Sequence, residues 1–203
     1  MARKGLSKDI IIEAAIELIQ EIGYNGFSMR LLADKLEVKP SSLYNHFKNL
    51  EYLTIAVGLR IYETFDDIQE KAINDSKNRQ EAVMNLALAY RRFAFENPEL
   101  YKVTRLLPKI DNAIKPDIVR KWIKPMKHVM SLYNISEEDQ MHWQRIYRAT
   151  ITGFVNGEKA GLFVWMPVST EESFRMGIMN IIVALETQER TEIRKKALVA
   201  IDE

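Results

Sequence analysis

Residues 39–49 read "KPSSLYNHFKN", a run in which almost every side chain that is not apolar can hold a polyanion or read its edges. Lys39, Ser41 and Ser42 put a cation and two short hydroxyls at the start of a helix, where they can approach base edges and phosphates. Tyr44 and His46 each offer a polar tip on a rigid ring, suited to a backbone oxygen, and Arg30 lies one element upstream. Each side chain also has a plainer reading. Tyr44 and Phe47 are also what a core takes, and for Phe47 that reading is adopted. A lone histidine such as His46 is usually a satisfied one. Lys48 fits a solvated surface, and Arg30 can pair with Asp34 four residues on. The surrounding pattern tips these residues toward nucleic acid.

That pattern is helical throughout. Ile11, Ala15, Leu18 and Ile22 share one stripe, and so do Leu53, Val57, Ile61, Thr64 and Ile68. No alternating strand pattern appears. Ser7 and Ser28 precede apolar stripes, and Asn78 to Glu81, Ser136 to Asp139 and Ser169 to Glu172 have capping-box spacing. Stops fall at Gly23, Pro98, Pro116 and Pro167, and Pro125 should kink or divide its helix. The expectation is an all-α chain of about nine helices, with a tenth possible in "TEIRKKALVAID". The first three helices, near 8–22, 29–36 and 40–46, are compact and joined by short connectors. "SMRLLADKLEVKPSSLYNHF" has the shape of a helix-turn-helix whose second helix fits the major groove. Leu32, Ala33, Leu36, Val38, Leu43 and Phe47 form its buried side. Residues 1–47 are read as this module, and 48–203 as a larger helical bundle entered through a long fourth helix.

Composition narrows the partners. With 29 Lys and Arg against 28 Asp and Glu, no global field attracts DNA or a membrane, so any such binding depends on a local patch. The 47% hydrophobic content suffices for a core, and the absence of cysteine excludes disulfides and thiolate chemistry. No segment approaches the roughly 20 apolar residues of a membrane span, and no signal peptide opens the chain, which points to the cytoplasm.

The stretch "AAIELIQEIGYNGFSMRLLADKLEVKPSSLYNHFKNLEYL", with Gly23, Gly26, Ser28, Ala33, Leu36, Val38 and the block Leu43 to Lys48, resembles the DNA-binding domain of the TetR family of bacterial transcriptional repressors. The resemblance implies that Ser28 and Lys48 hold phosphates, that Arg30, Lys39, Ser41 and Ser42 face the groove, and that Tyr44 and His46 meet the backbone. It also implies a homodimer on a palindromic double-stranded DNA operator, released by a small-molecule effector. Pro40 and two serines open the recognition helix without a bulky charged reader, which leaves the operator sequence open.

Further along, Ala149, Gly153, Gly157 and Gly161 recur every four residues. Glycine inside a helix costs about 1 kcal/mol relative to alanine, so the line asks for close packing. It is read as a dimer interface, with the Phe174, Ile178, Ile181 and Leu185 stripe as its companion, as tight packing within one subunit, or as a helix that ends at Gly157. "RATITGFVNGEKAGLF", with Trp143, Gly153, Glu158, Ala160, Gly161 and Phe163, further resembles a C-terminal domain type of TetR-like regulators. Phe93, Trp122, Met126, Met130, Trp143, Tyr147 and Phe154 are candidates for an adaptable apolar pocket, or for ordinary core. Their character favours an apolar or aromatic effector. Neither metal spacing nor a cofactor fingerprint is evident, and Glu138 with His142 reads as a surface ion pair more readily than as metal ligands. The rival readings are a helical ligand-binding or scaffold protein without DNA binding, and a small helical enzyme.

Overall fold

The computed structural model describes residues 5–110 and 123–202, with side chains over 5–107 and 123–193. Among them every regular element is helical. Helix α1 (Lys8–Ile22) starts where the Ser7 hydroxyl accepts the Ile10 amide at 3.3 Å, and ends at Gly23, whose φ of 76° a side chain would resist. A 3₁₀ turn (Tyr24–Gly26) leads to α2 (Met29–Lys35), capped by Ser28 accepting the Leu31 amide at 3.3 Å. The turn that follows bends at Glu37, φ 53°, and Val38 donates back to the Ala33 carbonyl at 3.0 Å. Helix α3 (Pro40–Tyr44) has Pro40 in its first turn, where a missing amide costs nothing. It is shorter than the expected 40–46, although the His46 and Phe47 amides still turn back to Leu43. Ile11, Ala15, Ile19, Leu32, Ala33 and Leu43 are sealed from solvent, and with Phe47 they form the small core.

Contacts divide the chain into two units, residues 1–65 with 93–119, and 66–92 with 120–203. Helices α4 (Leu50–Asn74) and α5 (Arg79–Glu96) each contribute to both. In the first unit, α6 (Pro98–Ile110) buries Leu100, Tyr101, Val103, Thr104 and Leu107. Leu107 fills the notch left by Gly58, where a Cβ would lie 2.6 Å from it, and the Tyr62 hydroxyl donates to the Thr104 carbonyl at 3.3 Å. Phe65 stacks on Phe93 with ring centroids 4.3 Å apart.

The second unit contains α7 (Lys124–Ser131), α8 (Glu137–Lys159) and α9 (Thr170–Asp202). Pro125 falls in the first turn of α7, so it opens a described helix rather than kinking one; Pro116 lies outside the described residues. The charged tail forms no separate helix. Beyond Gly177 no glycine or proline interrupts α9, which runs unbroken to Asp202. The capping spacings act as read: Glu81, Asp139 and Glu172 donate their amides to Asn78, Ser136 and Ser169 at 2.8, 3.1 and 3.2 Å. Two arginines fasten the helices. Arg79 pairs with Glu189 at 2.6 Å and covers the Tyr133 ring, while Arg91 grips Glu158 at 2.8 Å.

Two carboxylate oxygens among the described residues of this unit lack a hydrogen-bond donor. The Asp66 Oδ1 atom is buried without a hydrogen-bond partner, as is Glu70 Oε1 one helical turn on. Burial raises the Asp66 carboxyl to about 7; Lys124 and Arg148 oppose the rise, and Glu70 and Asp67 add to it. Folding therefore retains a proton on Asp66 that the unfolded chain releases near 3.8. The stability this contributes is complete below pH 3.8 and is lost as pH climbs through about 7. Asp66→Asn, which mimics the protonated form, should gain on the wild type as pH rises across this window. Denaturant titrations at several pH values would show it, and parallel curves would mean that Asp66 does not carry the proton.

Candidate nucleic-acid interface

Apart from Lys8, whose ammonium stands 5.9 Å from the Phe47 ring centroid, the basic residues around the N-terminal helices fall into two groups. Every acid on α1 is engaged: Asp9 and Glu13 bind Arg60 of α4, and Glu17 and Glu21 bind Lys35 at 3.4 and 2.7 Å. Among the described residues Arg30, Lys39 and Lys48 have no ion pair, and the pairing of Arg30 with Asp34 does not form. Those three cations are exposed. They sit on α2, at the residue before α3, and just before α4. The acids of α1 are thus sorted away from these cations, while Asp34 and Glu37 remain among them as exposed acids, with no ion pair to a described residue.

Hydroxyls and rings accompany them. Ser41 and Tyr44 are exposed, with Tyr44 52% accessible, while Ser28, Ser42 and His46 are half-buried. Leu43 and Phe47 turn inward, so α3 carries its anchors on one side and its polar tips on the other. The Ser28 oxygen is occupied as acceptor by the Leu31 amide, which leaves its hydroxyl hydrogen to donate outward. The sequence reading missed Tyr52. It is 53% exposed on the first turn of α4, with the Lys48 ammonium 5.9 Å from its ring centroid. The i, i+4 spacing of Lys48 and Tyr52 was the available signal. Asn49 caps the same helix by accepting the Tyr52 amide at 3.0 Å.

The residues expected to form one effector pocket are not gathered into one. Phe93 is buried against Phe65 in the first unit, and Trp122 lies outside the described residues. In the second unit Tyr147 is sealed in the core with its hydroxyl donating to the Val83 carbonyl, and Met126 is buried. The Trp143 indole N–H donates to Gln188 at 2.6 Å. Met130 lines a cavity of about 240 Å³ with Ile123, Lys127, Glu137, Gln140, Met141 and Gln144. Phe154 borders a separate one of about 100 Å³, beside Phe163, Met166 and Val168.

The proposed interface stripe is corrected by burial. Phe174, Ile178 and Leu185 have no exposed surface and Ile181 has 6%, so they belong to the core of the chain itself. The outward side of α9 instead carries Met176, Met179 and Val183. The small-residue line also divides. Ala149 and Gly153 are exposed, and a Cβ on Gly153 would meet nothing. Gly157 is buried under the Phe163 ring, where a Cβ would lie 2.8 Å away, and Gly161, φ 72°, makes the turn that folds that ring back. The Glu158, Gly161 and Phe163 motif is thus a closure for the end of α8. Leu162 within it, and Val164, Trp165 and Val168 beyond it, stand exposed, Trp165 by 74%. Glu138 and His142 form an exposed pair at 4.0 Å, and the described residues contain no group of three metal-binding side chains. Among the described residues no helix is long and apolar enough to cross a membrane.

Two short helices joined by a tight turn, with unpaired cations and hydroxyls around the second, define a helix-turn-helix protein. Residues 11–57 match the model of bacterial regulatory proteins of the tetR family, and residues 83–181 match the tetracyclin repressor-like C-terminal domain. The HTH-type transcriptional regulator YobS of Bacillus subtilis is 31% identical over 154 residues, covering 75% of this chain and 78% of that protein. The chain belongs to the TetR family of bacterial transcriptional regulators. Solved structures share its fold, including two with a bound ligand or DNA. A TetR variant from Acinetobacter baumannii in complex with minocycline has a TM-score of 0.66 at 17% identity, covering 90% of this chain and 98% of that one. BioQ with its double-stranded DNA operator has a TM-score of 0.62 at 21% identity, covering 89% and 98%.

Lys48→Ala should weaken binding to all duplexes alike and lower the slope of log affinity against log salt by about one unit. An unchanged slope with full affinity in a salt titration would remove Lys48 from the interface.

Proposed function

We propose that the chain is a cytoplasmic repressor that holds a palindromic operator as a homodimer and releases it when a small apolar or aromatic molecule binds. The observation that carries this reading is the sorting of charge: α1 acids neutralise Lys35 and Arg60, while Arg30, Lys39 and Lys48 stay unpaired around α3. On this reading Ser28 and Lys48 take phosphates, Arg30, Lys39, Ser41 and Ser42 face the bases, and Tyr44 and His46 rest on the backbone. Reading is assigned to residues 1–47, and effector binding and dimerisation to 48–203. BioQ, which has the same fold, is known with an operator bound, and the Acinetobacter protein with minocycline; both support the assignment by analogy of fold. The work is binding, with no catalytic step.

Dimerisation is assigned to the exposed face of α8 and α9, through Ala149, Gly153, Met176, Met179 and Val183 in place of the buried stripe. An effector releases DNA only by favouring one arrangement of the reading heads over another, and a coupling of about 5- to 150-fold in operator affinity would be typical.

Selection of duplexes from a random pool tests the reading directly. The recovered site should have dyad symmetry, with half-sites about one helical turn apart or a multiple of it. Binding should fall steeply with salt. A helical ligand-binding protein without DNA function would enrich nothing. Gly153→Leu, placed where the subunit itself leaves room, should sediment as monomer and lose tight DNA binding. A variant that stays dimeric would move the interface elsewhere.

A further inference from the structure

The corner between α1 and α2 is held by a residue far along the chain. Gly23 ends α1 with its own amide returned to Ile19 at 2.9 Å, and its φ of 76° turns the next amide away from the helix. That amide, of Tyr24, donates to Glu99 Oε2 on α6 at 2.8 Å. A Cβ on Gly23 would lie 3.3 Å from the same oxygen, so the glycine admits the carboxylate as well as the turn. From Tyr24 the chain has little freedom before α2 starts. The 3₁₀ turn closes through Gly26 to Gly23 and Phe27 to Tyr24, at 3.2 and 3.1 Å, and Ser28 follows as the cap.

We propose that Glu99 is a positioning residue for DNA reading: from α6 its carboxylate holds the Tyr24 amide and so sets where the start of α2 lies against α1. The proposal rests on the DNA-binding role assigned above. Helix α6 is braced for this task, since Leu107 fills the Gly58 notch of α4 while Glu99 meets the corner near the helix's other end. Both contacts lie within one unit of the chain. A charged acceptor makes the amide bond strong and directional. It is also releasable. Lys102, on the same helix, stands 3.6 Å from Glu99 Oε2, so a carboxylate that leaves Tyr24 keeps a cation beside it. With Glu99 one-third exposed, water can take over the freed amide. Loss of the contact should therefore cost little stability while loosening the placement of Ser28 and Arg30.

The test uses the full-length protein and the duplex recovered from the random pool by the wild type. Glu99→Ala should bind that duplex roughly 10-fold more weakly. Its salt slope should be unchanged, because no phosphate contact is removed, and its melting temperature should stay within about 3 °C of the wild type. Glu99→Gln retains an oxygen acceptor for the Tyr24 amide and should bind to within about two-fold of the wild type. Equal binding by Glu99→Ala would overturn the role, as would Glu99→Gln binding as weakly as Glu99→Ala, which would make charge rather than placement the cause. Amide exchange at Tyr24 in the wild type provides a readout free of mutation. It should slow when the duplex is added, and exchange indifferent to the duplex would count against the proposal. A wild type that recovers no duplex removes the DNA-binding role itself and this one with it. Recovery of a duplex that Glu99→Ala binds equally removes this one alone.

Discussion

A helix of five residues has no stability of its own. The cost of nucleating a turn exceeds what so few backbone hydrogen bonds return, so α3 exists because Leu43 and Phe47 are buried beside α1 and α2. This dependence constrains the whole N-terminal module. Ala33, with no exposed surface, must be small for the helices to meet, and Glu37 must accept a left-handed backbone for the turn to be short enough. Because the anchors and the polar tips alternate along the same few residues, whatever fixes the core also aims Ser41, Ser42, Tyr44 and His46. Precision at the surface is inherited from packing below it.

Charge placement follows the same logic. The four acids of α1 serve two cations, one on α2 and one on α4, and so join α1 to both neighbours. Each pair is partly exposed and by itself adds little to stability. Their larger effect is on the field, since acids committed to Lys35 and Arg60 are drawn away from Arg30, Lys39 and Lys48. A chain with almost no net charge can present a cationic surface by this internal sorting.

The N-terminal elements were legible because their signals are local. Ser7, Ser28, Gly23 and Pro40 act within a few residues of themselves, and spacing is enough to place them. The C-terminal half was less so, for a definite reason. Helix α9 is apolar on two sides, with Phe174, Ile178 and Leu185 on one and Met176, Met179 and Val183 on the other, and periodicity alone does not say which side meets its own subunit. Gly157 was readable as a glycine that permits close approach, but the approaching group is the Phe163 ring, brought back by a turn that the pattern does not announce. Tyr147 and Met126 resemble pocket residues in composition and are core residues in place. Aromatic and methionine content records apolar surroundings without telling a wall from an interior.

The exposed Trp165 gives the molecule an optical property. Its indole stands in water, whereas Trp143 is half-buried with its N–H held by Gln188, so the two emit from different surroundings. Covering the turn between α8 and α9 would move Trp165 emission toward the blue, while an event confined to α2 and α3 would leave it unchanged. The N-terminal helices contain no tryptophan, so the emission of Trp143 and Trp165 reports on α8 and the turn that follows it and not on α2 or α3; the third tryptophan, Trp122, lies outside the described residues.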